Sequence, residues 1–388
     1  MSAYEIIKRE LKSAPKRWLV TGVAGFIGSN LLEALLRADQ EVVGLDNFST
    51  GKASNLTEAL SFASVTQRLR FSFVQGDIRN PDTCKQVCSG AHFILHHAAL
   101  GSVPRSLEDP IGSHDSNVSG FINMLVAARD AKVERFVYAS SSSVYGDNPD
   151  MPKVENVTGR PLSPYAATKG MNELYAGVFS RAYGFDSIGL RYFNVFGPRQ
   201  DPAGAYAAVI PRWVSAILNH EPVYINGDGE TSRDFCYIQN VVQANFLAAT
   251  TRNSIALNRV YNIAVGERTT LKQLFDLIRI GLTQKASGKI GLKVIHQEFR
   301  PGDVRHSLAD VGQAREHLDY APEYRVQEGI NLALDWYVKN VSSKDSEATD
   351  SSCSAAEARV PFDESQGIGK PSSGQVAQVS APERFVKE

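Results

Sequence analysis

Three groups of residues in this 388-residue chain have the types and spacing to do chemistry. The first is Thr21-Gly22-Val-Ala-Gly25-Phe26-Ile27-Gly28, a G-x-x-G-x-x-G run. Between a strand and a helix, such a turn lets backbone approach a pyrophosphate and offers it the N–H groups and positive end of the helix. It is answered by Asp46, at the end of the next apolar run. An acid there accepts the ribose hydroxyls of an adenosine and repels a 2′-phosphate, which selects NAD over NADP. Asp77, after the third apolar run, suits either the adenine amine or an ordinary surface acid.

The second group is Tyr165-x-x-x-Lys169. On a helix, residues four apart share a face, so the ammonium can lie near the phenol or a bound ribose. Free tyrosine titrates near 10, and a base working near neutrality needs that lowered by roughly three units, or about 4 kcal/mol. A neighbouring ammonium and a cationic nicotinamide ring are two sources of such a shift. The spacing alone also fits an exposed amphipathic helix. The third group is Ser140-Ser141-Ser142-Ser143, at the end of an apolar run. A hydroxyl there can bond a substrate oxygen and relay a proton to Tyr165, or the four serines form a polar turn. Cys84, Cys88 and His96-His97 bring a zinc site to mind, but there are no paired C-x-x-C sets and the histidines close a run that suits the cofactor site. No metal is expected.

These groups need a scaffold, and the chain supplies one. Short β-rich runs at 18–21, 41–46, 69–75, 92–96, 136–140 and 187–192 alternate with helical patterns, of which 27–36 follows the glycine turn. Alternating β and α elements imply an α/β fold of Rossmann type, a doubly wound parallel sheet with helices on both faces. Beyond Gly197 the rhythm breaks into helical patterns at 211–218, 270–280 and 327–337, which reads as a smaller mixed α/β substrate-binding region. We therefore expect a dinucleotide-binding domain over 1–196, with segments around 234–265 returning to it, and a substrate domain over 197–340. Residues 341–388 hold ten serines and thirteen charges with few large apolar side chains, the composition of a disordered tail.

Apolar residues make up 43% and charged residues 21%, enough for an ordinary core. The 41 basic and 42 acidic residues give a formal charge of −1, which argues against a nucleic-acid binder working through a general basic field. No run approaches the ~20 apolar residues of a membrane helix. The charged start of the chain is unlike a signal peptide. Four cysteines are too few for a disulfide scaffold, so a reducing, cytoplasmic setting is expected.

The glycine run, Leu45-Asp-Asn47, Gly76-Asp-Ile78, His96-His-Ala-Ala99, Ser141-Ser-Ser-Val-Tyr-Gly146, Ser163-Pro-Tyr-x-x-x-Lys169 and Leu190-Arg-Tyr-Phe-Asn-Val-Phe-Gly197 together resemble the extended short-chain dehydrogenase/reductases, and among them the nucleotide-sugar 4-epimerases. The runs Ala98-Ala-Leu-Gly-Ser-Val-Pro-Arg105 and Tyr224-Ile-Asn-Gly-Asp-Gly-Glu-Thr-Ser-Arg-Asp234 are similar to those of bacterial UDP-N-acetylglucosamine 4-epimerases of surface-polysaccharide pathways. The likeness spans about 1–340. It implies that Phe26 and Ile27 lie over the NAD pyrophosphate, that Asp46 and Asn47 hold the adenosine ribose, and that Asp77 and Ile78 flank the adenine. It places Ala98, Ala99, Leu100 and Gly101 under the nicotinamide half, with Asn117 near the active site. Ser141 becomes the active-site serine, Ser142 and Ser143 further sugar contacts, Tyr165 the base and Lys169 the ligand of the nicotinamide ribose. Tyr192 lies where cofactor and sugar meet, Asn194 faces the substrate pyrophosphate, Arg233 and Arg300 clamp UDP phosphates, and Ser307 lines the hexose pocket. It also implies a homodimer joined by a four-helix bundle built from 117–131 and 166–183.

Three other readings compete. A nucleotide-sugar dehydratase needs an acid–base pair beside the serine, where this chain has Ser142 and Ser143. The substrate is alternatively the uronic acid, UDP-N-acetylglucosaminuronate. A silent NAD-binding regulator would have no need of Ser141, Tyr165 and Lys169.

Overall fold

The six apolar runs and a seventh strand, Arg259–Ile263, align side by side in one sheet. The computed structural model describes residues 1–202, 207–285, 293–299 and 304–348. Its strands in chain order are β1 (Arg17–Thr21), β2 (Glu41–Asp46), β3 (Phe71–Gln75), β4 (Phe93–His96), β5 (Arg135–Ser141), β6 (Ser187–Tyr192), β7 (Val195–Phe196), β8 (Val223–Asn226), β9 (Ser232–Arg233), β10 (Cys236–Tyr237), β11 (Arg259–Ile263), β12 (Thr269–Thr270) and β13 (Val294–Gln297). The main sheet runs β3-β2-β1-β4-β5-β6-β11, with every neighbouring pair parallel. This is the doubly wound arrangement, and its strand order reverses between β1 and β4. Ligands of such sheets bind at the carboxyl ends beside that reversal. Thr21, Asp46, His96, Ser141 and Tyr192 are the last residues of their strands.

Alternate side chains supply the cores of the two faces. Trp18, Val20, Leu95 and Val137 join one cluster with Leu31, Leu35 and Phe246. Leu19, Ile94, Phe136 and Tyr138 join the other with Phe121 and Met124. Period-two alternation between two covered faces explains why these strands read as continuous apolar runs. After β10 the chain returns to the sheet. Helix Ile238–Thr250 is buried nearly all round, Asn240, Gln243 and Asn245 included, and β11 extends the sheet beside β6. Three short pairs stand outside: β8 with β13, β9 with β12, and β7 with β10. Residues Met1–Asp345 form one contact-dense unit.

The structure differs from the sequence reading at three places. The third strand begins at Phe71 rather than 69, because Ser64 and Gln67 form a capping box that starts a helical turn, Val65–Arg68. The charged N-terminus forms a helix, Ala3–Ser13, capped by Ser2, with Tyr4 edge-on to Phe246 at 5.7 Å. The last helix, Val326–Ala348, continues past 340, so the first eight residues assigned to the tail are helical. Its seed is the buried stripe Val326, Ile330, Ala333, Leu334 and Tyr337, from which helix extends at low cost. Residues 349–388 lie outside the described residues. No helix among the described residues is long and apolar enough to cross a membrane.

Candidate active site

The glycine turn is built by close backbone packing. The Gly22 N–H donates to Leu45 O at 2.8 Å, and Gly25 N–H returns to Gly22 O at 3.0 Å. Gly22 has φ +70°, and a Cβ there would stand 2.8 Å from the Ala98 nitrogen. A Cβ on Gly28 would stand 2.1 Å from Gly22 O. Only glycine fits either place. Helix Phe26–Arg37 starts at Gly25 with no side-chain cap, so its first N–H groups face a cavity of about 350 Å³. The Asp46 carboxylate closes the turn from the side, accepting from Ala24 N–H at 2.9 Å and Phe48 N–H at 2.8 Å. Burial raises its pKa, and those backbone bonds oppose the shift. Such a cradle, with a buried acid beside it, fits a dinucleotide.

The catalytic candidates enter from the other side. Ser163 caps helix Pro164–Tyr183 by accepting from Ala166 N–H at 3.1 Å, and Pro164 fills the first position. Tyr165 is thereby fixed in the first turn, and its N–H donates to Ser106 Oγ at 3.0 Å. Ser141 and Tyr165 both line the cavity, and Ser141 lies close enough to the phenol to favour its ionised form. Lys169 Nζ lies 5.9 Å from the centre of the Tyr165 ring and donates to Ala139 O at 2.8 Å. Burial pulls the Lys169 ammonium down to about 8, against the pull of Glu173. Burial also raises the Tyr165 phenol, and the neighbouring Ser141 only partly opposes it. The lowered phenol expected from the sequence is therefore not supplied by the chain's own groups, because desolvation outweighs them.

Gly22, Gly25, Phe26, Ile27, Gly28, Asp46, Asn47, Ile78, Ala98, Ala99, Gly101, Ser141, Tyr165, Lys169, Tyr192 and Asn194 all line this one cavity. Tyr192 is held by His97 Nε2 at 2.9 Å and by Asn245 Nδ2 at 2.9 Å. Asn194 donates to Asp234 O at 3.0 Å. Among the described residues, the other predicted positions stand outside the lining. Asp77 is occupied by Arg79 and by Asn47 Nδ2 at 2.8 Å, and the Arg79 bonds hold its carboxyl down at about 2. Asn117, in the π-turn Asp115–Ser119, bonds both backbone groups of Leu100 and the Thr168 hydroxyl, so it ties the 98–101 loop to the catalytic helix. Ser142 and Ser143 begin a 3₁₀ turn after β5. Arg233 donates to Ser232 O and Arg305 O, and the Ser307 N–H donates to the same Ser232 O at 3.0 Å, which brings Arg233 and Ser307 to one edge of β9. Arg300 lies outside the described residues. Cys84 and Cys88 are buried thiols pushed up to about 12, and no group of metal-binding side chains occurs among the described residues.

Sequence reasoning missed Ser49, Thr50 and Ser116, which also line the cavity. Ser49 and Thr50 follow Asp46-Asn47 after the single residue Phe48, and two hydroxyls so close to the ribose acid were a usable signal. Ser116 had none, since its place depends on the π-turn.

A family model described as "NAD dependent epimerase/dehydratase family" matches residues 18–264. UDP-glucose 4-epimerase of Mycolicibacterium smegmatis is 36% identical over 326 residues, covering 83% of this chain and 98% of that protein. Among solved structures, the chain is similar to UDP-N-acetylglucosamine 4-epimerase from Methanobrevibacter ruminantium in complex with UDP-N-acetylmuramic acid, at 36% identity and TM-score 0.76 over 84% of this chain and 99% of that one. It is also similar to UDP-glucuronic acid 4-epimerase from Bacillus cereus in complex with UDP-glucuronic acid and NAD, at 30% identity and TM-score 0.73 over 83% and 99%.

Proposed function

The chain belongs to the NAD-dependent epimerase/dehydratase family as a UDP-sugar 4-epimerase, and from that premise we propose that its substrate is a UDP-N-acetylhexosamine, UDP-GlcNAc being interconverted with UDP-GalNAc for surface-polysaccharide synthesis. The observation that carries the epimerase chemistry is that Ser141, Tyr165 and Lys169 share one cavity with the glycine turn and Asp46. The glycine turn, with Asp46 at the ribose, would hold NAD, which would supply reversible oxidation at C4. Tyr165 takes the O4 proton and gives it back. Ser141 donates to the same oxygen and keeps it against the phenol. Lys169, buried beside the phenol, holds the nicotinamide ribose. The 4-keto sugar turns within the site and the C4 alcohol is rebuilt with inverted configuration, so the reaction is redox-neutral. A dehydratase would need a carboxylate pair after Ser141, and Ser142 and Ser143 cannot serve.

The N-acetylated substrate is favoured by Ser307. Turning the 4-keto sugar sweeps its C2 substituent past the pocket wall, and a small residue there leaves room for an acetamido group and a hydroxyl to bond it. Arg233, on the adjoining strand, is placed to meet a UDP phosphate, as guanidinium geometry favours. The outer face of helix Pro164–Tyr183 exposes Met171, Leu174, Tyr175 and Val178, which supports a homodimer through the four-helix bundle of 117–131 and 166–183. UDP-sugar and NAD are cytoplasmic metabolites, and the enzyme is placed with them.

Separate sealed incubations with UDP-GlcNAc, UDP-Glc, UDP-GlcA and UDP-GlcNAcA, with products resolved by NMR, test the reading. A C4 epimer from UDP-GlcNAc at the highest kcat/KM is expected. Faster turnover of a uronic acid would reject the substrate, and no epimer from any sugar would reject the reaction.

A further inference from the structure

We propose that Glu173 is a positioning residue for the epimerisation, acting with Arg191 to lock the catalytic helix in register on β5. This inference rests on reading the cavity as the epimerase site, but its evidence lies behind that cavity. Tyr165, Lys169 and Glu173 follow one another at intervals of four on helix Pro164–Tyr183 and so share one face. Each meets a different, consecutive residue of β5. Lys169 Nζ donates to Ala139 O at 2.8 Å, Ser140 Oγ donates to Glu173 Oε1 at 2.5 Å, and Ser141 lies beside the Tyr165 phenol. The Glu173 bond is therefore the fixed point between the two catalytic contacts. A slip there would displace both.

Arg191 makes the fixed point rigid. It lies on β6 in direct register with Ser140. Its Nε donates to Glu173 Oε1 at 2.9 Å and its Nη2 to Glu173 Oε2 at 2.7 Å, a two-pronged bond with little orientational freedom. Its Nη1 donates to Glu155 O at 2.9 Å, and its guanidinium stacks 4.9 Å from the centre of the Tyr145 ring. Tyr145 ends the 3₁₀ turn that starts directly after Ser141, and its phenol donates to Asn262 Oδ1 at 2.6 Å. One buried guanidinium thus grips the catalytic helix and the turn that follows the catalytic serine. Among the described residues, Glu173 is not part of the ligand cavity, so it acts through its neighbours.

The carboxylate has an electrostatic consequence as well. The titratable groups facing Lys169 are Glu173, Tyr165, His96 and His97, and burial holds both histidines well below their usual range, hence neutral. Arg191 and Tyr138 face Glu173 from the other side. Glu173 is the negative charge that opposes deprotonation of Lys169.

Glu173→Gln keeps the shape and removes the charge, whereas Glu173→Asp keeps the charge on a shorter arm. Measured on NAD-loaded protein, Glu173→Gln should lower kcat by about tenfold to a hundredfold, the scale of a lost alignment. KM for the UDP-sugar should stay within about twofold. The alkaline limb of the kcat profile should move to lower pH, and Glu173→Asp should restore that limb with part of kcat. An unmoved limb in Glu173→Gln, or equal losses in both variants, overturns the proposal in favour of a merely structural pair. Should Glu173→Gln fail to fold, Ser140→Ala decides, because it leaves the ion pair intact: a several-fold loss of kcat supports the lock and an unchanged kcat overturns it. If the parent enzyme turns over no UDP-sugar, the epimerase reading fails separately. The lock is then read from ultraviolet titration of Tyr165, taken as the difference from Tyr165→Phe, which should shift in Glu173→Gln and overturns the lock if it does not.

Discussion

Tyr165 is a base made by its surroundings rather than by its type. Burial alone raises its phenol, and only Ser141 opposes that from within the chain. Tyr165→Phe leaves the ring in place and removes the proton acceptor, so turnover should fall by at least about a hundredfold while NAD stays bound. Product NMR and the NAD content of purified protein check it, and a near-parental rate would sink the assignment. Lys169 sets the opposite limit. It titrates at about 8 because burial disfavours its charge, and the charged form is the useful one, so kcat should fall as pH rises through that value. A rate profile flat through about pH 9 would contradict this. Ser307→Tyr addresses specificity: a phenol ring where a small side chain now stands should severely cut kcat/KM on UDP-GlcNAc and spare that on UDP-Glc, whereas parallel losses would remove Ser307 from the pocket. At this scale the sequence was informative wherever a motif fixes a spacing, as for Tyr165, Lys169 and the three glycines. It left Asp77 open between the adenine amine and a surface acid, and did not foresee that Arg79 engages its carboxylate, because an ion pair between a loop and its own next residues leaves no periodic trace.

The elements carry the site through two junctions, and only one could be read in advance. The β1 turn was legible because glycine at 22, 25 and 28 has a single physical explanation, close backbone approach. Gly28→Ala tests it. The added methyl would meet the Gly22 carbonyl at 2.1 Å, so the helix must shift away from β1. Overpacking of this kind costs about 1–3 kcal/mol, and the moved N–H groups should lose NAD with it. A variant with parental thermal midpoint and parental NAD content would show the turn to be looser than drawn. The second junction, helix Pro164–Tyr183 on β5 and β6, was not legible beyond Tyr165 and Lys169. Glu173 and Arg191 lie 18 residues apart and meet only because β5 and β6 pair with Ser140 opposite Arg191. Register is a tertiary fact. The start of β3 was misread for a local reason, a capping box that overrode an apolar pattern, and the N-terminal helix because its charges hid the two side chains, Tyr4 and Leu11, that it buries.

At the scale of the whole molecule, the catalytic helix has two sides with different duties. Its inner side carries Tyr165, Lys169 and Glu173 onto the sheet. Its outer side leaves Leu174 71% exposed, with Met171, Tyr175 and Val178 beside it, and Leu107 and Ile111 on neighbouring short helices 62% and 74% exposed. Long apolar side chains gathered on one helical face in this way are the mark of a surface meant to be covered. A second copy packing there would also press the catalytic helix against β5, so association and catalysis should be linked. Leu174→Glu probes that link. Each copy would lose the burial of one leucine, about 1.5–3 kcal/mol, and a two-fold interface would meet the new carboxylates twice. On the proposed homodimer, the parent should sediment as a dimer and the variant as a monomer at the same concentration. Its thermal midpoint should drop, and its kcat should fall while NAD remains bound, because the helix loses its outer support but keeps its inner contacts. Sedimentation velocity and steady-state rates on the same samples decide it. A variant that remains dimeric places the interface elsewhere, and a monomer with full activity shows that the lock through Glu173 and Arg191 holds the catalytic helix without help from a partner.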